Sequence, residues 1–173
     1  GAERCDSILM EMQAHPAIQP NLASFKTVIM AWRKAAELQD STTYYSCVRA
    51  QQLLEYMVDL YTTGQNRLAC PDADCFDSVL QSWTRSDHSE APVRAEQLLG
   101  AMEALYEATK QPKLKPRTTS FNAVLNSWSK QGNVPRALQL LAFMEQLAAA
   151  GKTPVPDMVS YSTVITGLAK HVH

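Results

Sequence analysis

Apolar residues recur along this chain at intervals of three and four, and in four places the recurrence uses nearly the same residues. Phe25, Val28, Ile29 and Trp32 fall at i, i+3, i+4 and i+7, which gathers them on one face of a helix at about 100° per residue. The stripe returns as Phe76, Val79, Leu80 and Trp83, as Phe121, Val124, Leu125 and Trp128, and as Tyr161, Val164, Ile165 and Leu168. A second stripe alternates with it. Arg4-Cys5-x-x-Ile8-Leu9-x-x-Met12 is repeated at Arg49-Ala50-x-x-Leu53-Leu54-x-x-Met57, Arg94-Ala95-x-x-Leu98-Leu99-x-x-Met102 and Arg136-Ala137-x-x-Leu140-Leu141-x-x-Met144. The pattern predicts pairs of amphipathic helices. A single pair cannot bury both of its faces, so stability must come from stacking on neighbours.

Turn residues divide the chain at the same places. Pro20-Asn21, Pro71-Asp72, Pro116-Arg117 and Pro156-Asp157 precede the first helix of each pair, where proline ends the element before it. Gly132-Asn133 closes one first helix, and Pro135 stands where the next helix begins. The expected organisation is a single all-α domain over 1–173. It comprises a lone second helix (2–14), three full repeats (22–72, 73–117 and 118–157) and a lone first helix (158–171).

Composition narrows the function classes. Hydrophobic residues make up 46% of the chain and charged residues 19%, which fits a folded domain and not a disordered segment. No apolar run approaches the roughly 18 residues that span a bilayer, so no membrane association is expected. The net charge of −1 argues against non-specific nucleic-acid binding, which rests on a positive surplus, but leaves room for a local basic stripe. Cys5, Cys47, Cys70 and Cys75 lack the paired spacing of a zinc site, and His15, His88, His171 and His173 show no metal-ligand pairing. Neither a metal nor any other cofactor is expected. No nucleophile, base or carboxylate constellation stands out, so the chain reads as a non-enzyme with no small-molecule substrate.

The side of each first helix opposite the stripe is polar and ends in a cation. It comprises Ala23, Lys26, Met30 and Lys34; Asp74, Asp77, Gln81 and Arg85; Thr119, Asn122, Asn126 and Lys130; and Val159, Ser162, Thr166 and Lys170. In a stacked array such faces join into one surface, with short polar groups suited to base edges and a row of cations suited to phosphates. A Lys or Arg in the last turn also complements the helix macrodipole, so Lys34, Arg85, Lys130 and Lys170 have a structural role open to them as well. The three tryptophans lie on the core stripe and are expected to pack. The arginines that open the second helices face neither site plainly, which suggests packing or ion pairs between repeats.

The alternation of a Pro-Asp-x-x-x-Tyr-x-x-Val-Ile helix with an Ala-x-x-Leu-Leu-x-x-Met helix resembles the pentatricopeptide repeat family over nearly the whole chain, most closely from Phe121 to Asp157. The tryptophans and the longer repeats depart from that pattern. The resemblance implies an α-solenoid of stacked hairpins in a right-handed superhelix that binds single-stranded RNA sequence-selectively. The setting would be organellar RNA metabolism in a mitochondrion or chloroplast, with the targeting segment outside these residues. It assigns base reading to the pairs Lys26 with Asp72, Asp77 with Arg117 and Asn122 with Asp157, with Ser162 at the corresponding place in the last helix. Asn122 with Asp157 is the pair whose family preference is uracil. Base packing goes to Ala23, Asp74, Thr119 and Val159, and phosphate contact to Lys34, Arg85, Lys130 and Lys170. A protein-interaction scaffold and the RNA-binding arm of a larger processing enzyme remain as alternatives, because solenoids serve either kind of ligand.

Overall fold

The structure, a computed structural model, describes residues 1–38 and 41–171; His173 lies outside the described residues. Among them the chain is all-α. Eight helices follow one another: α1 (Ala2–Ala14), α2 (Leu22–Ala36), α3 (Thr43–Thr62), α4 (Ala73–Arg85), α5 (Ala91–Thr109), α6 (Thr118–Lys130), α7 (Val134–Ala149) and α8 (Met158–His171). Short 3-10 turns, Arg67–Ala69 and Pro112–Leu114, follow α3 and α5. The helices form two compact units, Gly1–Ser86 and Asp87–His173. The boundary falls inside the repeat expected over 73–117, so that α4 belongs to one unit and α5 to the other.

Both units are built alike. In the N-terminal unit α2 packs against α1, α3 and α4, and α3 also packs against α4. In the C-terminal unit α6 packs against α5, α7 and α8, and α7 against α8. Each unit therefore reads second helix, first helix, second helix, first helix, with a central first helix touching all three others.

The stripes supply the cores. Phe25, Val28, Ile29 and Trp32 of α2 are buried, as are Ala50, Leu53, Leu54 and Met57 of α3. Phe121, Val124 and Leu125 of α6 meet Ala137, Leu141 and Met144 of α7 in the same way, and all are buried. Each fully buried Leu, Ile, Met or Phe side chain contributes about 1.5–3 kcal/mol through the water it sheds, so these faces decide the helix pairing. The thiols of Cys47 and Cys75 are part of the filling. Burial pushes both up to about 12, which keeps them protonated.

The helices begin and end at the turn residues the sequence marks, and several of those residues act as caps. Asn21 and Asp72 accept hydrogen bonds from the backbone N–H of Ser24 and Cys75, each at 3.0 Å, and so start α2 and α4. Gly132 ends α6 with φ +77°, a left-handed conformation that glycine adopts without strain. Asn133 then caps α7 by accepting from Arg136 N–H.

Candidate nucleic-acid interface

Successive first helices lie side by side within each unit, α2 with α4 and α6 with α8. Two of the three expected base-reading pairs consequently meet. Lys26 Nζ lies 3.0 Å from Asp72 Oδ2, and also 2.6 Å from Asp74 Oδ2. Its ammonium is held above the usual lysine value by the Asp74 hydrogen bond first, with Asp72 adding to it against the cost of burial. Asn122 Nδ2 donates to Asp157 Oδ1 at 3.0 Å. Asp77 and Arg117 fall in different units: Asp77 is a buried residue of α4, and Arg117 stands exposed at the N-cap of α6.

The Asn122 contact belongs to a small network. Ser160 Oγ lies 2.6 Å from Asn122 Oδ1, Ser160 N–H donates to Asp157 Oδ1 at 2.9 Å, and Asp157 N–H donates to Ser160 Oγ at 3.1 Å. Ser160 and Asp157 thus cap the start of α8 reciprocally while both hold the α6 amide. The Asp157 carboxyl is drawn below its ordinary value by the Ser160 N–H and then by Asn122. Expected on the open face, Asn122 is instead buried, because the first turn of α8 closes over it. Ser160 was not singled out in the sequence. Its signal was there: a serine or cysteine precedes the stripe aromatic in every first helix (Ser24, Cys75, Ser120, Ser160).

Between α6 and α8 runs a polar groove of about 180 Å³ lined by Asn126, Ser129, Lys130, Ser162, Thr163, Thr166, Gly167 and Lys170. Five of these are the outward residues predicted for the two helices; Ser129, Thr163 and Gly167 are additions. Gly167 sets the distance between the helices, since a Cβ there would stand 2.9 Å from Ser129 Cβ. Ser162 and Thr166 donate their hydroxyl protons back to Val159 and Ser162 carbonyls, which leaves oxygen lone pairs for an incoming donor.

The chain matches no family model and no curated protein. The assignment of roles therefore rests on geometry. Of the four cations expected at phosphates, Lys34 is exposed in the last turn of α2 and Lys170 in the last turn of α8. Arg85 is paired with Glu37, whose carboxylate also lies 3.6 Å from Arg33, and Lys130 reaches Asp87 at 3.1 Å. The residues expected to pack on bases, Ala23, Asp74, Thr119 and Val159, are all exposed in the first turns of their helices.

Of the four arginines that open the second helices, Arg49 and Arg136 form ion pairs between repeats, whereas Arg4 and Arg94 pair locally with Glu11 and Glu90. Arg49 grips Asp6 through two bonds of 2.5 and 3.0 Å, and Arg136 grips Glu96 in the equivalent place. The tryptophans add a link that the spacing does not reveal. Trp83 Nε1 donates to Gln51 of α3 at 2.9 Å, and Trp128 Nε1 to Glu96 of α5 at 3.0 Å. Both acceptors stand two residues after the opening arginine of the preceding second helix. Trp83 and Trp128 are therefore packing residues that also set the register of α4 on α3 and of α6 on α5.

Proposed function

We propose that this chain binds single-stranded RNA along the polar sides of its first helices, with the α6–α8 groove as the principal contact. The observation that carries the reading is that groove: neutral amide and hydroxyl groups between two helices, with Lys130 and Lys170 in their last turns, while the Asn122–Asp157 bond joins the same two helices toward their first turns. Neutral polar groups of this kind discriminate base edges, and cations at a fixed offset from them suit phosphates. The pentatricopeptide resemblance agrees with this, and supplies three expectations that belong to the same proposal: a solenoid arrangement, uracil preference at Asn122 and Asp157, and an organellar setting. No catalytic role is proposed. No helix of the described residues is long and apolar enough to cross a membrane, and none is needed for this role.

The test is binding of labelled oligouridylate and oligoadenylate over a salt series. Binding should weaken as salt rises, with a log–log slope of about −0.7 for each phosphate neutralised on a single strand. Replacing Lys34, Arg85 and Lys130 together with Gln should lower affinity for both oligomers and flatten that slope. Affinity that ignores both salt and these substitutions would leave the cations with a helix-end role only and would sink the proposal.

A further inference from the structure

The C-terminal unit holds a cavity that the RNA reading does not use. It lies between the second helices α5 and α7, over the first helix α6 on which both pack, and measures about 470 Å³. Small-molecule sites typically enclose about 300–1,000 Å³. The buried Phe121 of α6 lies at its base, and Leu99, Leu140 and Phe143 make apolar walls. The Phe143 ring stacks on Phe121 with centroids 6.4 Å apart and remains 42% exposed.

Two residues of α5 give this cavity its character. Gly100 lies inside the helix, where glycine costs stability relative to alanine. No close approach requires it, because a Cβ there would meet nothing within 4 Å. Its consequence is open space. Glu103 is a half-buried carboxylate with no hydrogen-bond or ion-pair partner among the described residues. Burial, and then the like charge of Glu107, push its carboxyl up from the ordinary value. The other carboxylate of the wall, Glu96, is already engaged by Arg136 and Trp128. One negative charge is therefore left over at an otherwise apolar site. The N-terminal unit shows that the fold demands neither residue. Counted from the opening arginines Arg4 and Arg94, the half-buried Met10 of α1 stands where Gly100 does, and the neutral Gln13 stands where Glu103 does.

We propose that the α5–α7 cavity binds a small apolar monoammonium ligand, an aryl- or alkylamine whose hydrocarbon part lies beside Gly100 against the two phenylalanines and whose ammonium pairs with Glu103. Size, wall and charge select this class together. A neutral hydrocarbon would bury the carboxylate further and leave it unpaired, which is costly. An anion would be repelled by Glu103 and would find Arg136 already held by Glu96. The exposed Phe143 ring adds an attraction for the cation.

The test uses the whole chain at neutral pH without RNA and follows backbone amide shifts by NMR during titration with phenethylamine. Phenethyl alcohol and phenylpropionate serve as its neutral and anionic matches. The amine should shift the amides around Gly100, Glu103 and Phe143 saturably. The alcohol should bind about tenfold more weakly, the loss of one charge-assisted contact, and the carboxylate should give no saturable shift. Glu103→Gln should bring the amine down to the level of the alcohol. Gly100→Met should abolish binding of both while raising the melting temperature, since it fills empty space and improves the helix. That rise separates a blocked site from a misfolded variant. Equal affinities for amine and alcohol overturn the proposal, as does an amine affinity that survives Glu103→Gln or Gly100→Met. Absence of any saturable shift up to the solubility of the amine overturns it too.

Discussion

The two units share one arrangement of helices and differ in the chemistry of the groups that meet at equivalent places. Where the N-terminal unit brings Lys26 against Asp72 and Asp74, the C-terminal unit brings Asn122 against Asp157 and Ser160. The first is a cluster of charges that satisfies itself; a nucleotide arriving there must break ion pairs to gain contacts. The second is mostly neutral, and it adjoins a groove whose hydroxyl lone pairs are not spent on ion pairs. The same contrast holds one layer down. Glu96 accepts from both Arg136 and Trp128, whereas the shorter Asp6 accepts from Arg49, and Trp32 Nε1 is left buried without a protein acceptor. One architecture thus supports a self-neutralised face and an available one. Side-chain length and charge decide which.

The sharpest way to break the C-terminal groove is at its closest approach. Gly167→Leu should force α8 away from Ser129 and destabilise that unit by about 3 kcal/mol, the upper range for overpacking, as a lowered midpoint in chemical denaturation. Asn122→Ala should cost about 2 kcal/mol, because Asp157 and Ser160 lose a buried partner, and it should also remove any preference for oligouridylate over oligoadenylate. A purely structural Asn122 would show the first effect without the second. Lys130→Gln with Lys170→Gln should reduce RNA affinity about tenfold, or about 1.4 kcal/mol, and reduce the salt slope by about 1.4. Lys34→Gln with Arg85→Gln should do less, since Glu37 holds Arg85 together with Arg33, whereas the Asp87 partner of Lys130 is far more exposed and yields more readily to a phosphate. Equal losses from the two pairs would abolish the distinction drawn between the faces. The smallest effect is a gain. Asp6→Glu should add reach toward Trp32 and stabilise the N-terminal unit by about 1 kcal/mol, visible as a higher melting temperature.

Much of the fold was legible because it depends on residues three or four apart. The stripes from Phe25 to Trp32 and from Phe121 to Trp128 place helices, and Asn21, Asp72 and Gly132 place their ends, all through local periodicity and backbone chemistry. The outward faces of α6 and α8 were readable for the same reason. The rest of the site depends on partners far apart in sequence. Nothing near Lys26 announces that Asp72 and Asp74 will neutralise it, and nothing near Trp83 or Trp128 points to Gln51 or Glu96. The burial of Asn122 needs the first turn of α8 to be in position, which no helical wheel of α6 contains. Ion pairs at Arg49 and Arg136 were suggested by their recurrence, but their acceptors required the packed helices.

The seclusion of the native thiols has a practical corollary. With Cys47 and Cys75 held protonated in the interior and Cys70 also buried, Cys5 is the one half-buried cysteine among the described residues. Replacing Cys5 with Ala would leave a background nearly inert to maleimide. A new cysteine at Ser162 could then carry a fluorophore on the rim of the groove and report an arriving strand directly.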